Sequence, residues 1–91
     1  MIEDIKATDV IQLDHVKVFA PLQTYFEGPA ESVSAANVSG PFDILPKHKN
    51  FLTLLEPGII TVRTKQGPRK IQVERGLLHV RDNRVSVFLD V

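Results

Sequence analysis

From residue 59 onward the chain alternates apolar and polar residues with a period of two. Ile60 and Val62 stand against Thr61 and Arg63. Ile71 and Val73 stand against Lys70, Gln72 and Glu74, and Leu78 and Val80 against His79 and Arg81. Val85, Val87 and Leu89 share one side of the last run. Such alternation marks half-buried strands. Lys65-Gln66-Gly67-Pro68 and Arg75-Gly76 turn or bend the chain between them. Asp82-Asn83 reads as a two-residue hairpin turn, since both residue types tolerate the left-handed backbone that such turns need.

The first half is less regular. Leu13 to Ala20 places Val16, Val18 and Ala20 on one side and His15 and Lys17 on the other, with Phe19 the exception, and Pro21 ends the run. Tyr25-Phe26 restarts an extended path, and Gly28-Pro29 interrupts it as a bulge or edge position would. Glu31, Val33 and Ala35 then alternate with Ser32, Ser34 and Ala36. Between the halves lie two short apolar runs, Phe42–Leu45 and Phe51–Leu55. Gly40-Pro41 opens this stretch, Pro46 stops the first run, and Pro57-Gly58 closes the second. The loop Lys47-His48-Lys49-Asn50 between the runs is polar and belongs in water.

No stretch after residue 12 has helical periodicity with caps. The pattern predicts an all-β fold, a two-sheet β-sandwich or flattened barrel of about 8–10 short strands, without a C-terminal helical hairpin. Residues 1–12 read as a mobile leader and 13–91 as the domain. The expected inward set is Val16, Val18, Val33, Ile44, Leu52, Leu54, Ile60, Val62, Ile71, Val73, Leu78, Val80, Val85, Val87 and Leu89.

Composition narrows the function. A chain of 91 residues is one domain, and its 43% hydrophobic content is that of a folded one. The absence of cysteine excludes disulfides and thiolate metal sites. The apolar runs are far shorter than the roughly 20 residues of a membrane helix. The start, Met1-Ile2-Glu3-Asp4, has no signal-peptide pattern, so the expectation is a protein that works in the compartment where it is made, without inserting into a membrane. His15, His48 and His79 lack metal-ligand spacing, and Ser32, Ser34, Ser39 and Ser86 lack a nucleophile elbow. Asp14, Glu27, Glu31 and Asp43 form no recognisable acid pair. No catalytic residue, metal or cofactor is expected.

The formal net charge is zero but unevenly spread: residues 1–46 carry two Lys against seven acids, and residues 47–84 nine Lys and Arg against three. Arg63, Lys65, Arg69, Lys70, Arg75, Arg81 and Arg84 could track phosphates. That gives one reading, a stand-alone β-barrel adaptor or nucleic-acid-binding module using strands 59–84. Tyr25 is the only tyrosine and tryptophan is absent, which is poor equipment for stacking bases, so no nucleic acid is expected. Phe19 and Phe88 break the alternation of their strands, as they would if a partner covered one outer surface.

The phrase Phe42-Asp43-Ile44-Leu45-Pro46-Lys47-His48, followed by Phe51-Leu52-Thr53-Leu54-Leu55-Glu56-Pro57-Gly58, resembles the epsilon subunit of F-type ATP synthases (delta in mitochondria). That family shows G-E-F-G-I-L-P-G-H and then L-L-T-x-L-x-P-G. Val16 to Pro21 and Phe26-Glu27-Gly28 are similar to the family's opening. Gly76-Leu77-Leu78-His79-Val80 and Asn83-Arg84-Val85-Ser86-Val87-Phe88 are similar to its close. Asp43 and Lys47 replace family glycines, Pro41 stands where the family carries an acid, and Glu74-Arg75-Gly76 replaces S-G-G.

The resemblance implies a non-catalytic central-stalk subunit of a proton- or sodium-driven synthase, coupling the gamma subunit to the membrane c-ring. It implies a place at the cytoplasmic face of the bacterial plasma membrane, peripheral to it, within the synthase complex. His48, Leu45 and Lys47 would then face gamma, and Ser39, Gly40, Pro41 and Phe42 the c-ring. The family continues past the position of Val91 into a helical hairpin, so no nucleotide site is carried over.

Overall fold

The computed structural model describes residues 12–90, and every regular element among them is a strand. The strands are β1 (Leu13–Ala20), β2 (Gln23–Ala30), β3 (Ser32–Asn37), β4 (Gly40–Ile44), β5 (Phe51–Leu55), β6 (Gly58–Thr64), β7 (Gly67–Val73), β8 (Gly76–Arg81) and β9 (Arg84–Leu89). They form a five-stranded sheet of order β2-β1-β9-β8-β5 and a four-stranded sheet of order β4-β3-β6-β7. This is the two-sheet sandwich that the alternation predicts. The leader expected over residues 1–12 lies, apart from Gln12, outside the described residues.

All neighbouring strands are antiparallel except β1 and β9, which run parallel with Val16 beside Val85 and Phe19 beside Phe88. Local chemistry sets the hairpins. Asp82 and Asn83, at φ 52° and 63°, make the expected two-residue turn between β8 and β9. In the β6–β7 turn Thr64 Oγ1 accepts from the Gln66 amide at 3.1 Å and donates to the Gly67 carbonyl at 2.8 Å. Two backbone bonds tie the sheets where the chain crosses between them. The Glu31 amide donates to the Arg63 carbonyl at 2.7 Å, and the Glu56 amide to the Ala36 carbonyl at 2.9 Å.

The core lies between the sheets. Val16, Val18, Leu78, Val80, Val85 and Val87 face Val33, Ile44, Ile60 and Val62, all essentially inaccessible. Each such side chain contributes about 1.5–3 kcal/mol relative to an exposed one. Leu13, Ala30, Ala35 and Leu55 also join the core, although the alternation did not select them. Ile71 is only half-buried, on the edge strand β7.

Leu52 and Leu54, expected to point inward, are 62% and 68% exposed. The reason is register. Phe51 and Thr53 sit opposite the buried Val80 and Leu78 on β8, and Leu55 opposite Gly76. Directly opposed residues of an antiparallel pair share a face, so Phe51, Thr53 and Leu55 take the inner face and Leu52 and Leu54 the outer one. Gly76 makes room for this choice. A Cβ there would lie 3.1 Å from Leu89 Cδ2, 3.2 Å from the Phe88 carbonyl and 3.3 Å from Leu55 Cδ1.

Gly28-Pro29 sits at the irregular edge position that the sequence suggests. The second strand runs through both residues, and the register shift falls opposite them, between Leu13 and Val16. This strand is an edge, so the missing proline N–H breaks no ladder on its free side.

Candidate interaction surfaces

Pairing fixes which turns share an end. The β1–β2, β3–β4, β5–β6 and β7–β8 connections lie at one end of the sandwich, and the β4–β5, β6–β7 and β8–β9 connections at the other. The residues expected to face gamma and those expected to face the c-ring therefore lie at opposite ends, joined by β4.

The β4–β5 connection brings Leu45, Lys47 and His48 together. Its organiser is Asn83, across the chain in the β8–β9 turn. Asn83 Oδ1 accepts from the Lys47 amide at 2.8 Å, and Nδ2 donates to the Gln12 carbonyl at 2.9 Å. The Asn83 carbonyl accepts from the Asp14 amide at 2.9 Å. Lys47 itself sits at φ 63°, and the His48 amide donates back to the Leu45 carbonyl at 3.1 Å, which closes the turn after Pro46. His48 Nδ1 donates to the Lys49 carbonyl at 2.8 Å. Its ring lies 5.6 Å from that of Phe51, which meets Phe42 edge-on at 5.6 Å. Leu45 and Lys47 are exposed and His48 is half-buried against Phe51.

At the other end, the β3–β4 hairpin closes over Val38 and Ser39. Asn37 Oδ1 accepts from the Ser39 amide at 2.9 Å, and Gly40 follows at φ 117°, a backbone that favours glycine. Asn37 Nδ2 donates to Thr53 Oγ1 at 3.1 Å and braces the hairpin against β5. Val38, Ser39 and Pro41 are exposed, whereas Phe42 turns inward and packs against the core. The four residues expected to face the c-ring thus divide into an exposed turn and an aromatic plug.

A third surface was legible only in part. On the outer face of the five-stranded sheet, Leu54 sits opposite Leu77, Leu77 opposite Phe88, and Phe88 beside Phe19. The Phe19 and Phe88 rings stack at 5.1 Å. Lys17 Nζ lies 4.7 Å from the centre of the Phe19 ring and covers part of it. An apolar row therefore crosses four strands on the solvent side, with Leu52 one step further along β5. Beside its β5 end lies a groove of about 320 Å³, lined by Leu54, Leu55, Glu56, Pro57, Glu74, Arg75 and Gly76. The two phenylalanines announce this row in the sequence. Its β5 end was missed because both phases of Phe51–Leu55 are apolar.

The polar groups elsewhere serve the fold. Arg63 Nη1 donates to Ser34 Oγ at 2.6 Å, and Ser34 Oγ donates to Asp43, linking three strands of the smaller sheet. His15 Nε2 meets Glu27 Oε2 at 3.0 Å across β1 and β2. Among the described residues no three His, Asp or Glu side chains cluster as metal ligands. The basic residues are spread over both sheets, several of them beside the connections at the β6–β7 and β8–β9 end. Arg63, Lys65, Arg69 and Lys70 belong to the four-stranded sheet and its hairpin, Arg81 and Arg84 to the five-stranded one. Arg69 is engaged with the Tyr25 carbonyl at 3.3 Å.

The description "ATP synthase, Delta/Epsilon chain, beta-sandwich domain" matches residues 14–91. The chain belongs to this family. Among its relatives, ATP synthase epsilon chains from Ruthia magnifica subsp. Calyptogena magnifica and Leptospira borgpetersenii are each 32% identical over 76 residues. These alignments cover 84% of this chain and 55% and 60% of the relatives. The epsilon chain of an Exiguobacterium species is 35% identical over 77 residues, covering 84% of this chain and 57% of the relative. This delta/epsilon-type sandwich therefore spans little more than half the length of these relatives.

Solved structures agree on the fold. A chain of the Euglena gracilis mitochondrial ATP synthase, solved with its c-ring, superposes with a TM-score of 0.77 at 20% identity, covering 96% of this chain and 53% of that one. A chain from the central stalk and c-ring of the Tetrahymena thermophila mitochondrial enzyme gives 0.74 at 19% identity, covering 85% and 63%.

Proposed function

We propose that this delta/epsilon-type sandwich is a non-catalytic rotor element of an ATP synthase, joining the gamma subunit to the c-ring at the cytoplasmic face of the membrane. The observation that carries the reading is the apolar row Leu54–Leu77–Phe88–Phe19, left on the solvent side of a sandwich whose own core is complete. A contiguous apolar row on the solvent side of a folded domain, here with Leu54 exposed and Leu77, Phe88 and Phe19 half-buried, marks a surface that a partner covers. The family membership and the synthase assemblies of the structural neighbours support a stalk partner.

In this reading the outer apolar row and the Leu45, Lys47 and His48 loop adjoin gamma, and the Ser39, Gly40 and Pro41 turn, backed by Phe42, adjoins the c-ring. One strand, β4, runs from the turn to the loop, a span of about 17 Å. It is paired along its length with β3, so a push at the turn reaches the loop through a hydrogen-bonded sheet rather than a flexible linker. Transmitting torque asks for that stiffness and for no chemistry.

The test is co-purification. The chain is tagged at its N-terminus, expressed in its native host, and recovered from gently solubilised membranes for mass spectrometry. Recovery of gamma with c-ring subunits is the expected result, and His48→Ala and Pro41→Glu variants then separate the two contacts. A chain recovered free of synthase subunits at native expression level contradicts the reading.

A further inference from the structure

The outer face of the five-stranded sheet changes character along its strands. One row from the apolar row, toward the β8–β9 turn, the register sets Leu52, His79, Ser86, Lys17 and Glu27 side by side. One row further it sets Arg81, Arg84 and His15. Successive rows on one face lie about 7 Å apart. A partner seated on the apolar row therefore comes beside Lys17 first, and then within reach of the long Arg81 and Arg84 side chains. On the other side of the apolar row the strands end in Glu56, Arg75 and Asp90, whose signs are mixed. The cationic margin is one-sided.

These cations are left without anions. Glu27 lies directly across from Lys17 but meets His15 at 3.0 Å, while Lys17 Nζ leans over the Phe19 ring at the edge of the apolar row. Among the described residues Arg84 makes no ion pair, and Arg81 touches only its neighbour Asp82, at 3.7 Å with both exposed. Arg81 and Arg84 are also directly opposed across β8 and β9. Like charges set opposite one another destabilise a strand pair, so the hairpin itself gains nothing from two arginines there. An anionic surface laid over them turns that repulsion into attraction.

We propose that the partner surface covering the apolar row is acidic on the side toward the β8–β9 turn, and that Lys17, Arg81 and Arg84 set the direction in which it docks. This rests on the reading of gamma as that partner: the part of gamma seated on Leu54–Leu77–Phe88–Phe19 carries carboxylates opposite the three cations. An apolar row alone accepts its cover in either direction. A cationic margin on one side disfavours the reversed arrangement, which leaves the carboxylates away from the arginines. Apolar contact supplies the affinity, and the one-sided charge supplies orientation and speed of encounter.

Stopped-flow association of this chain with the gamma subunit of its own synthase, over a range of salt concentrations, tests it. Association is expected to slow as salt rises. Arg84→Gln and Lys17→Gln each slow it about two- to fivefold at low salt. Arg84→Gln also raises the urea midpoint of the isolated chain, because it removes the Arg81–Arg84 repulsion. Lys65→Gln and Lys70→Gln, the same loss of charge on the four-stranded sheet and its hairpin, leave the rate unchanged. A chain that does not bind gamma overturns the stalk reading and this inference with it. Binding at a rate indifferent to salt, Lys17→Gln and Arg84→Gln overturns this inference alone and leaves the stalk contact purely apolar. Equal slowing by Lys65→Gln, or an Arg84→Gln chain that is slower but less stable, overturns it as well.

Discussion

Leu54 and Leu55 are neighbours in sequence with opposite fates, and truncating each to alanine tests the phase of β5. Leu55 is 6% exposed and packs beside Gly76. A buried leucine cut to alanine costs about 2–5 kcal/mol, from lost transfer energy plus the cavity. In a domain of this size each kcal/mol lowers Tm by about 4–8 °C, so Leu55→Ala is expected to melt at least about 8 °C below the parent. Leu54 is 68% exposed, which leaves only about a third of it shielded. Full burial of a leucine is worth about 1.5–3 kcal/mol, so Leu54→Ala is expected to cost under about 1 kcal/mol. Urea and thermal unfolding followed by far-ultraviolet circular dichroism measure both. Equal losses for the two variants, or a larger loss for Leu54→Ala, would refute the register argument and remove Leu54 from the apolar row.

Other outcomes follow from single contacts. Gly76→Ala forces a methyl against Leu89, Leu55 and the Phe88 carbonyl. Overpacking of about 1–3 kcal/mol should exceed the roughly 0.4–1 kcal/mol gained by restricting the unfolded chain, giving net destabilisation in chemical denaturation. Asn83→Ala removes the acceptor for the Lys47 amide and the donor to Gln12 and leaves a non-glycine residue at φ 63°. It should cost about 1–3 kcal/mol and speed hydrogen exchange at the Lys47 amide. Asn83→Gly, which relieves only the backbone, should recover stability but not that amide's protection. Thr53→Val keeps the shape of β5 but leaves Asn37 Nδ2 without its acceptor, a loss of about 1 kcal/mol seen as a lower urea midpoint.

Much of the architecture is local and therefore legible. Period-two alternation defines the last four strands, Asp82-Asn83 carries its own turn chemistry, and Pro21 limits the first strand. What stayed hidden depends on partners far along the chain. The phase of β5 is decided by β8, because Phe51–Leu55 offers apolar residues to both faces. The parallel pairing of β1 with β9 leaves no turn signature. Asn83 clamps the loop after Pro46 from 36 residues away, so nothing around either residue reveals it. The candidate contact residues were found through the family phrase rather than through physics. The structure then divided them, setting Phe42 into the core side and leaving Ser39 and Pro41 exposed. The outer apolar row was half visible, at Phe19 and Phe88, and its other half followed only once β5 was oriented.

The most direct test of the rotor reading is calorimetric titration of this chain with the gamma subunit of its own synthase, across a range of temperatures. Binding with a negative heat-capacity change is expected, the mark of apolar surface leaving water. Phe88→Ser and Leu54→Ser, both on the outer row, should weaken binding while the fold persists. Absence of binding, or binding indifferent to both substitutions, would contradict the claim that this row is the stalk contact.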